Sequence, residues 1–168
     1  MHWADYTAQR LMERGDEQVS ASGITPSGEF HIGHLREILS AEMIHRACLD
    51  AGMSSKYIFI VDSMDPLRRV YDFLSPEYEE FIGCPLAYIP APEEDGSPGD
   101  GSVTYANHFL SPFLEALEQI GVRPEVVMNH ETYEKGLFAE YIDSAITNRE
   151  EIRRIIQQIS GRELPSDW

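Results

Sequence analysis

Ser22-Gly23-Ile24-Thr25-Pro26-Ser27-Gly28-Glu29-Phe30-His31-Ile32-Gly33-His34 sets glycines and a proline between an apolar approach and a long amphipathic run, and closes on two histidines three residues apart. Residues 18–22 read as a short buried strand and residues 23–30 as a loop. From about Ile32 the apolar positions Leu35, Ile38, Leu39, Met43 and Ala47 keep helical spacing. His31 and His34 therefore bracket a first helical turn. Such a turn has backbone N–H groups without intrahelical partners and carries the positive end of the helix dipole, so an anion docked there is stabilised. Histidines at i and i+3 share a face and can donate to the same phosphate. Gly33 has no Cβ, which lets a flat base or ribose approach the turn. Strand, loop and helix in this order predict a nucleotide site near the N-terminus. A metal site fits less well, because zinc-type helices place His at i and i+4 around a Glu, and no Cys is near.

Outward from this stretch the elements alternate. Residues 3–14 form an amphipathic pattern stopped by Gly15, and Tyr57-Ile58-Phe59-Ile60-Val61 is a continuous apolar run, as in a parallel strand covered on both faces. Residues 111–120 read as a helix with Phe113, Leu114, Leu117 and Ile120 on one side, closed by Gly121; Glu125-Val126-Val127-Met128 reads as another parallel strand. Residues 132–147 are helical in pattern, and Asn148 is expected to cap a last helix striped by Ile152, Ile155, Ile156 and Ile159 before Gly161. This order predicts an α/β fold, a Rossmann-like, doubly wound parallel sheet flanked by helices with right-handed crossovers. Ligands of such sheets sit at the strand carboxyl ends, where residues 23–30, 62–67 and 129–132 fall. Residues 75–104 are rich in Pro, Gly and acid, and 93–102 are too polar for a core element, so a mobile surface loop is expected there. No internal repeat is present.

Composition bounds the function classes. A chain of 168 residues makes one ordinary domain, and a net charge of -16 opposes attraction to a polyanion, so DNA binding is not expected and the piece alone should hold RNA weakly. Lys56 and Lys135 are the only lysines among thirteen basic residues. That bias suits a salt-adapted or high-GC source, or simply an acidic solvated surface. There is no apolar run of membrane-spanning length, and the start Met1-His2-Trp3-Ala4-Asp5 lacks signal-peptide regions, so a cytoplasmic location without membrane attachment is expected. Cys48 and Cys84 form no CxxC pair, which argues against a disulfide scaffold or structural zinc.

The His-Ile-Gly-His tetrad behind Ser-Gly-x-Thr-Pro-Ser-Gly resembles the first signature of class I aminoacyl-tRNA synthetases. The start His2-Trp3-Ala4-Asp5, the stretch from Asp62-Ser63-Met64-Asp65-Pro66 to Val70, Tyr105-Ala106-Asn107-His108-Phe109, and Gly161-Arg162-Glu163-Leu164-Pro165-Ser166-Asp167-Trp168 together resemble the N-terminal portion of the class I lysyl-tRNA synthetases. Members of that family often have Asn where this chain has His34.

The resemblance implies a class I (HUP-type) catalytic domain, present in part over residues 1–168. It also implies that lysine's carboxylate attacks the α-phosphate of ATP, that Mg²⁺ accompanies the nucleotide, and that the lysyl group passes to tRNA(Lys). On it, His31 and His34 are the catalytic phosphate donors, and Pro26, Ser27, Gly28, Ile32 and Gly33 complete the ATP site. A carboxylate nucleophile has no proton to lose, so neither histidine is needed as a general base. Gly23 and Thr25 would touch the amino acid.

Asp62 and Asp65 are acidic enough to receive an ammonium; the alternative is a turn in which they pair with backbone N–H groups or with Arg68 or Arg69. His108 either reaches the site or caps its region. The lysine-rich second signature of the class is expected beyond this chain, as is an anticodon-binding region. Met53-Ser54-Ser55-Lys56 imitates that signature but precedes a strand, on the wrong side of the sheet, and reads as a connection. Two other readings remain open at this point: a small nucleotidylyltransferase with the same HxGH tetrad, and a non-catalytic synthetase remnant that binds nucleotide.

Overall fold

Tyr57, Phe59 and Val61 alternate with less buried residues, and all three are almost completely shielded from solvent. In a strand this alternation puts them on one face. The computed structural model describes residues 1–165. Its elements are α1 (Trp3–Met12), β1 (Glu17–Ile24), α2 (Ile32–Asp50), β2 (Ser54–Val61), a 3₁₀ turn (Pro76–Phe81), α3 (Tyr105–Gln119), β3 (Glu125–Met128), α4 (Asn129–Glu134), α5 (Ala139–Thr147) and α6 (Arg149–Ser160). The strands form a parallel sheet in the order β1-β2-β3, so the architecture is α/β and Rossmann-like, a parallel sheet flanked by helices. Ile24 lies opposite Val61, and Val61 opposite Met128, so all three strands end at one level. The loops that follow them must emerge side by side.

Strands in sequence order, joined by right-handed crossovers, carry their connecting helices on one face. The main core agrees: Ile38 and Ala41 of α2 and Leu110 and Leu117 of α3 cluster with Tyr57, Phe59 and Val61. The order runs without reversal, as in one half of a doubly wound sheet. Ile58 and Ile60, on the other face of β2, are only half-buried. The reading of residues 18–22 as buried is also corrected. β1 is an edge strand of the described sheet, Val19 is 64% exposed, and only Ser22 and Ile24 are shielded. Ser22 Oγ meets the Tyr57 hydroxyl at 2.8 Å, and that hydroxyl donates to the Ile38 carbonyl at 3.3 Å, so the buried polar atoms are satisfied.

The segment 75–104 departs most from expectation. It carries little regular structure, yet Tyr78, Leu86 and Ile89 are buried in a second core with Leu67, Leu74, Tyr105, Ala106 and Phe109. The Tyr78 hydroxyl donates to the Pro90 carbonyl at 2.9 Å, and a pairing of Pro90 with Thr104 closes the segment against the start of α3. Each large apolar side chain buried this way contributes about 1.5–3 kcal/mol, so this is a packed insertion around a polar turn. Helix α3 correspondingly begins at Tyr105, six residues before the expected start, with the Thr104 hydroxyl accepting from the Asn107 N–H.

The chain divides into two compact units, Met1–His130 and a second that begins at Glu131. In the second, the expected single helix over 132–147 is interrupted at Gly136, whose φ of +70° breaks helical continuity before α5. The Asn148 side chain donates to the Ser144 carbonyl at 2.8 Å and makes no cap for α6, another correction; Gly161 at φ +67° does close that helix. Ile152 and Ile156 are half-buried, while Ile155 and Ile159 are exposed. Ser166, Asp167 and Trp168 of the C-terminal motif lie outside the described residues. Among those described, no helix is long and apolar enough to cross a membrane.

Candidate functional site

The segments that follow the three strands, two loops and the start of α4, are tied together by hydrogen bonds. The Asp62 N–H donates to the Ile24 carbonyl at 3.0 Å, and the Thr25 hydroxyl donates to Asp65 Oδ2 at 2.8 Å, joining the first loop to the second. Asn129 Nδ2 donates to Asp62 Oδ1 at 2.7 Å, and the fully buried Ser63 Oγ meets His130 Nδ1 at 2.8 Å, joining the second loop to the end of β3. A cavity of about 340 Å³ opens between the first two of these segments and α2, lined by Gly23, Thr25, Ser27, His34, Glu37 and Arg68 among others.

The histidine pair is organised by the helix it starts. Gly33 N–H donates to His31 Nδ1 at 3.1 Å, and His31 N–H donates to His34 Nδ1 at 3.0 Å, a reciprocal capping box built from two imidazoles. A nitrogen that accepts from an amide cannot carry the proton, so each neutral ring holds its hydrogen on Nε2. The rings stack 3.9 Å apart. Burial lowers the His34 pKa from its ordinary 6.5, the neighbouring His31 lowers it further, and Glu37 opposes them. His34 is thus a neutral donor at physiological pH.

Two details revise the sequence argument. The Gly33 N–H is already capped, so the anion site rests on the imidazoles as much as on backbone amides. A Cβ at Gly33 would also lie 2.8 Å from His31 Cε1 and 2.9 Å from its Nδ1, so glycine is required there by the His31 ring itself. Ile32 is 79% exposed beside them. Pro26 is fully buried, the Ser27 carbonyl accepts the Tyr105 hydroxyl at 2.8 Å, and a Cβ at Gly28 would touch the Phe73 ring at 3.6 Å. The second core therefore props the signature loop from below.

Carboxylates gather at the ends of β1 and β2. Asp65 accepts from Thr25 and pairs with Arg68 at 3.2 Å, the turn arrangement that the sequence left open. Asp62 pairs with neither arginine; its pKa is raised, first by burial and then by Asp65 and Glu37. Glu37, overlooked in the sequence, reaches across from α2 and accepts the Gly23 N–H at 3.1 Å. The signal for it was present, since Glu37 stands three residues after His34 on the same helical face. Gly23, Thr25, Asp62 and Asp65 are brought together here, and His108 is not. It lines another cavity, of about 790 Å³, with Glu29, Phe73 and Asp100. Of Met53-Ser54-Ser55-Lys56, read as a connection, the last three residues are the first of β2, at the end of the strand remote from Val61.

Comparison with known sequences bears on the same residues. The family of tRNA synthetases class I (K) matches residues 1–168. The chain belongs to that family. Among curated relatives, a lysine–tRNA ligase of Archaeoglobus fulgidus is 45% identical over all of this chain, which covers 33% of that protein. One from Methanocaldococcus jannaschii is 44% identical with 31% of it covered, and lysine–tRNA ligase 1 of Methanosarcina acetivorans is 42% identical with 30% covered. The chain spans about a third of the length of these class I (K) relatives.

Proposed function

We propose that this chain is the nucleotide half-site of a lysine–tRNA ligase, the N-terminal part of a longer catalytic domain that works in the cytoplasm. The supporting observation is the pair of imidazoles that cap a helix start, with Nδ1 accepting backbone N–H groups and Nε2 left to donate, beside a cavity that His34 and Glu37 line. Lysine's carboxylate oxygen would form a bond to the α-phosphorus of ATP while the bond to pyrophosphate breaks, leaving lysyl-adenylate. Negative charge then builds on the phosphate oxygens, where preset N–H donors act without reorganising. His31 and His34 supply those donors, while Pro26, Ser27, Gly28, Ile32 and Gly33 shape the ground on which the nucleotide lies. Mg²⁺ would arrive as the ATP complex, held by phosphate oxygens.

Gly23 and Thr25 border the amino-acid subsite, and Asp62 receives the α-amino group. Asp65 serves by holding Thr25 in place. Transfer to the 3′ end of tRNA(Lys) belongs to the longer protein, since a charge of -16 on this piece repels a polyanion. The small-nucleotidylyltransferase reading loses ground to the family match over the whole chain.

Calorimetry with ATP, lysine and a non-hydrolysable lysyl-adenylate mimic tests the proposal. The mimic, filling both subsites, should bind more tightly than lysine alone. Equal or absent binding would leave a remnant without this function.

A further inference from the structure

Two arginines follow the end of β2, and they are used differently. Arg68 is bound to Asp65, whereas Arg69 makes no ion pair among the described residues. Its guanidinium lies over the Tyr71 ring, 5.2 Å from the centroid. Tyr71 in turn stacks on Phe73, with centroids 5.7 Å apart and planes within 3° of parallel, and Phe73 meets Phe109 edge-on. The stack is firmly held: the Leu74 N–H donates to the Tyr71 carbonyl at 2.9 Å, and Leu74 itself is buried in the second core. Yet Arg69 is exposed and Phe73 is 48% exposed. Tyr71 lines the 340 Å³ cavity with Ser27 and His34, and Phe73 lines the 790 Å³ cavity with Glu29 and His108. The stacked rings are thus a ridge between the two, against the signature loop.

Resting on the ligase reading, we infer that Arg69, Tyr71 and Phe73 form a stacking platform for the unpaired 3′ end of the RNA acceptor. Unstacked bases lie on aromatic rings and on guanidinium planes, and this ridge offers both in one layer. The terminal ribose has to reach the cavity that His34 lines, so the nucleotide before it crosses the neighbouring ground. Carboxylates at the ends of β1 and β2 repel a phosphate, and Arg68 is neutralised by Asp65. Arg69 keeps its charge free for the phosphate of the stacked nucleotide. On a chain of net charge -16 the platform holds an end rather than a duplex.

The test titrates this chain at low salt with a short single-stranded ribonucleotide ending in CCA, read by NMR at the Tyr71 and Phe73 rings. Those ring signals should move, and should still move when the lysyl-adenylate mimic is saturating, because transfer needs both substrates at once. Arg69→Ala and Tyr71→Leu should each weaken the RNA by about fivefold or more. Arg69 is exposed, so its variant leaves the core untouched. Movement abolished by the mimic would give the ridge to the adenine of ATP and overturn the platform. Binding that spares both variants, or equal binding of a blunt RNA duplex, also overturns it. A chain that binds the mimic but not the RNA sinks the platform and keeps the ligase reading; one that binds neither loses both.

Discussion

The start of α2 and the end of β2 solve opposite problems. At the start of α2 two imidazoles accept backbone N–H groups of their own turn, and His34 is held neutral. At the end of β2, carboxylates stand close enough to disfavour one another's charge. The first is preorganised for an anion that the helix terminus already favours. The second is held in tension by packing elsewhere, and a cationic ligand would release it. A site for a zwitterion joined to a nucleotide needs both, because its two ends carry opposite charge.

The comparison is broken most forcefully from outside the cavity. The Leu86 and Ala87 N–H groups donate to the Asp65 and Ser63 carbonyls, and Leu86 itself is buried in the second core. Leu86→Ala should destabilise the protein by about 2–5 kcal/mol, read by denaturant unfolding. Hydrogen exchange should quicken at Ala87 more than at Leu35 in the imidazole turn. Equal acceleration at both would mean that the two regions open together.

His31→Ala acts on the start of α2. Loss of its donor should weaken binding of the adenylate mimic by about 1.5–3 kcal/mol. Loss of its cap should lower stability by about 0.5–2 kcal/mol, so a calorimetric titration and a melt together separate the two roles. A melt that falls without any change in affinity would make the histidine structural.

Asp62→Asn sharpens the contrast, because it removes charge from the strained region and keeps an oxygen for Asn129. The folded-state pKa of Asp62 is raised, so its ionised form is disfavoured by folding and stability declines as pH rises through the ordinary carboxylate range. The variant should therefore melt at or above the original temperature, by under about 1 kcal/mol, while binding lysine less well. A lower melting temperature would show the carboxylate to be a structural acceptor.

The smallest effect is the pH dependence of the turn. The folded-state pKa of His34 lies below its ordinary 6.5, so its contribution is present above pH 6.5 and is lost as pH falls below it toward the folded value. His34→Asn retains a capping oxygen and does not titrate there. Melting curves between pH 5 and 7.5 should have a shallower slope in that variant.

Local chemistry was legible in the chain itself. The start of α2 at Ile32, the apolar run that became β2, β3 at Glu125–Met128, and the approach of the loops beginning at Thr25 and Asp62 all follow from periodicity and turn residues, which act over a few positions; the third expected loop, at 129–132, is instead the start of α4. The class I (K) family was legible too, because the signature and its flanking motifs extend along the whole chain. The packing of residues 75–104 was not. Their apolar residues, Tyr78, Leu86 and Ile89, are too sparse to form a periodic pattern, and they are buried only because Leu67 and Tyr105 arrive from distant positions. The role of Glu37 was hidden for the same reason, since a glutamate on a helix face is ordinary until the tip of β1 lies within its reach. Sequence alone determined β2, β3, the start of α2 and the signature loop, because those depend on neighbours along the chain. Which carboxylates crowd the strand ends, and which tyrosine supports the signature loop, was decided only when residues far apart in the chain were brought together by the sheet.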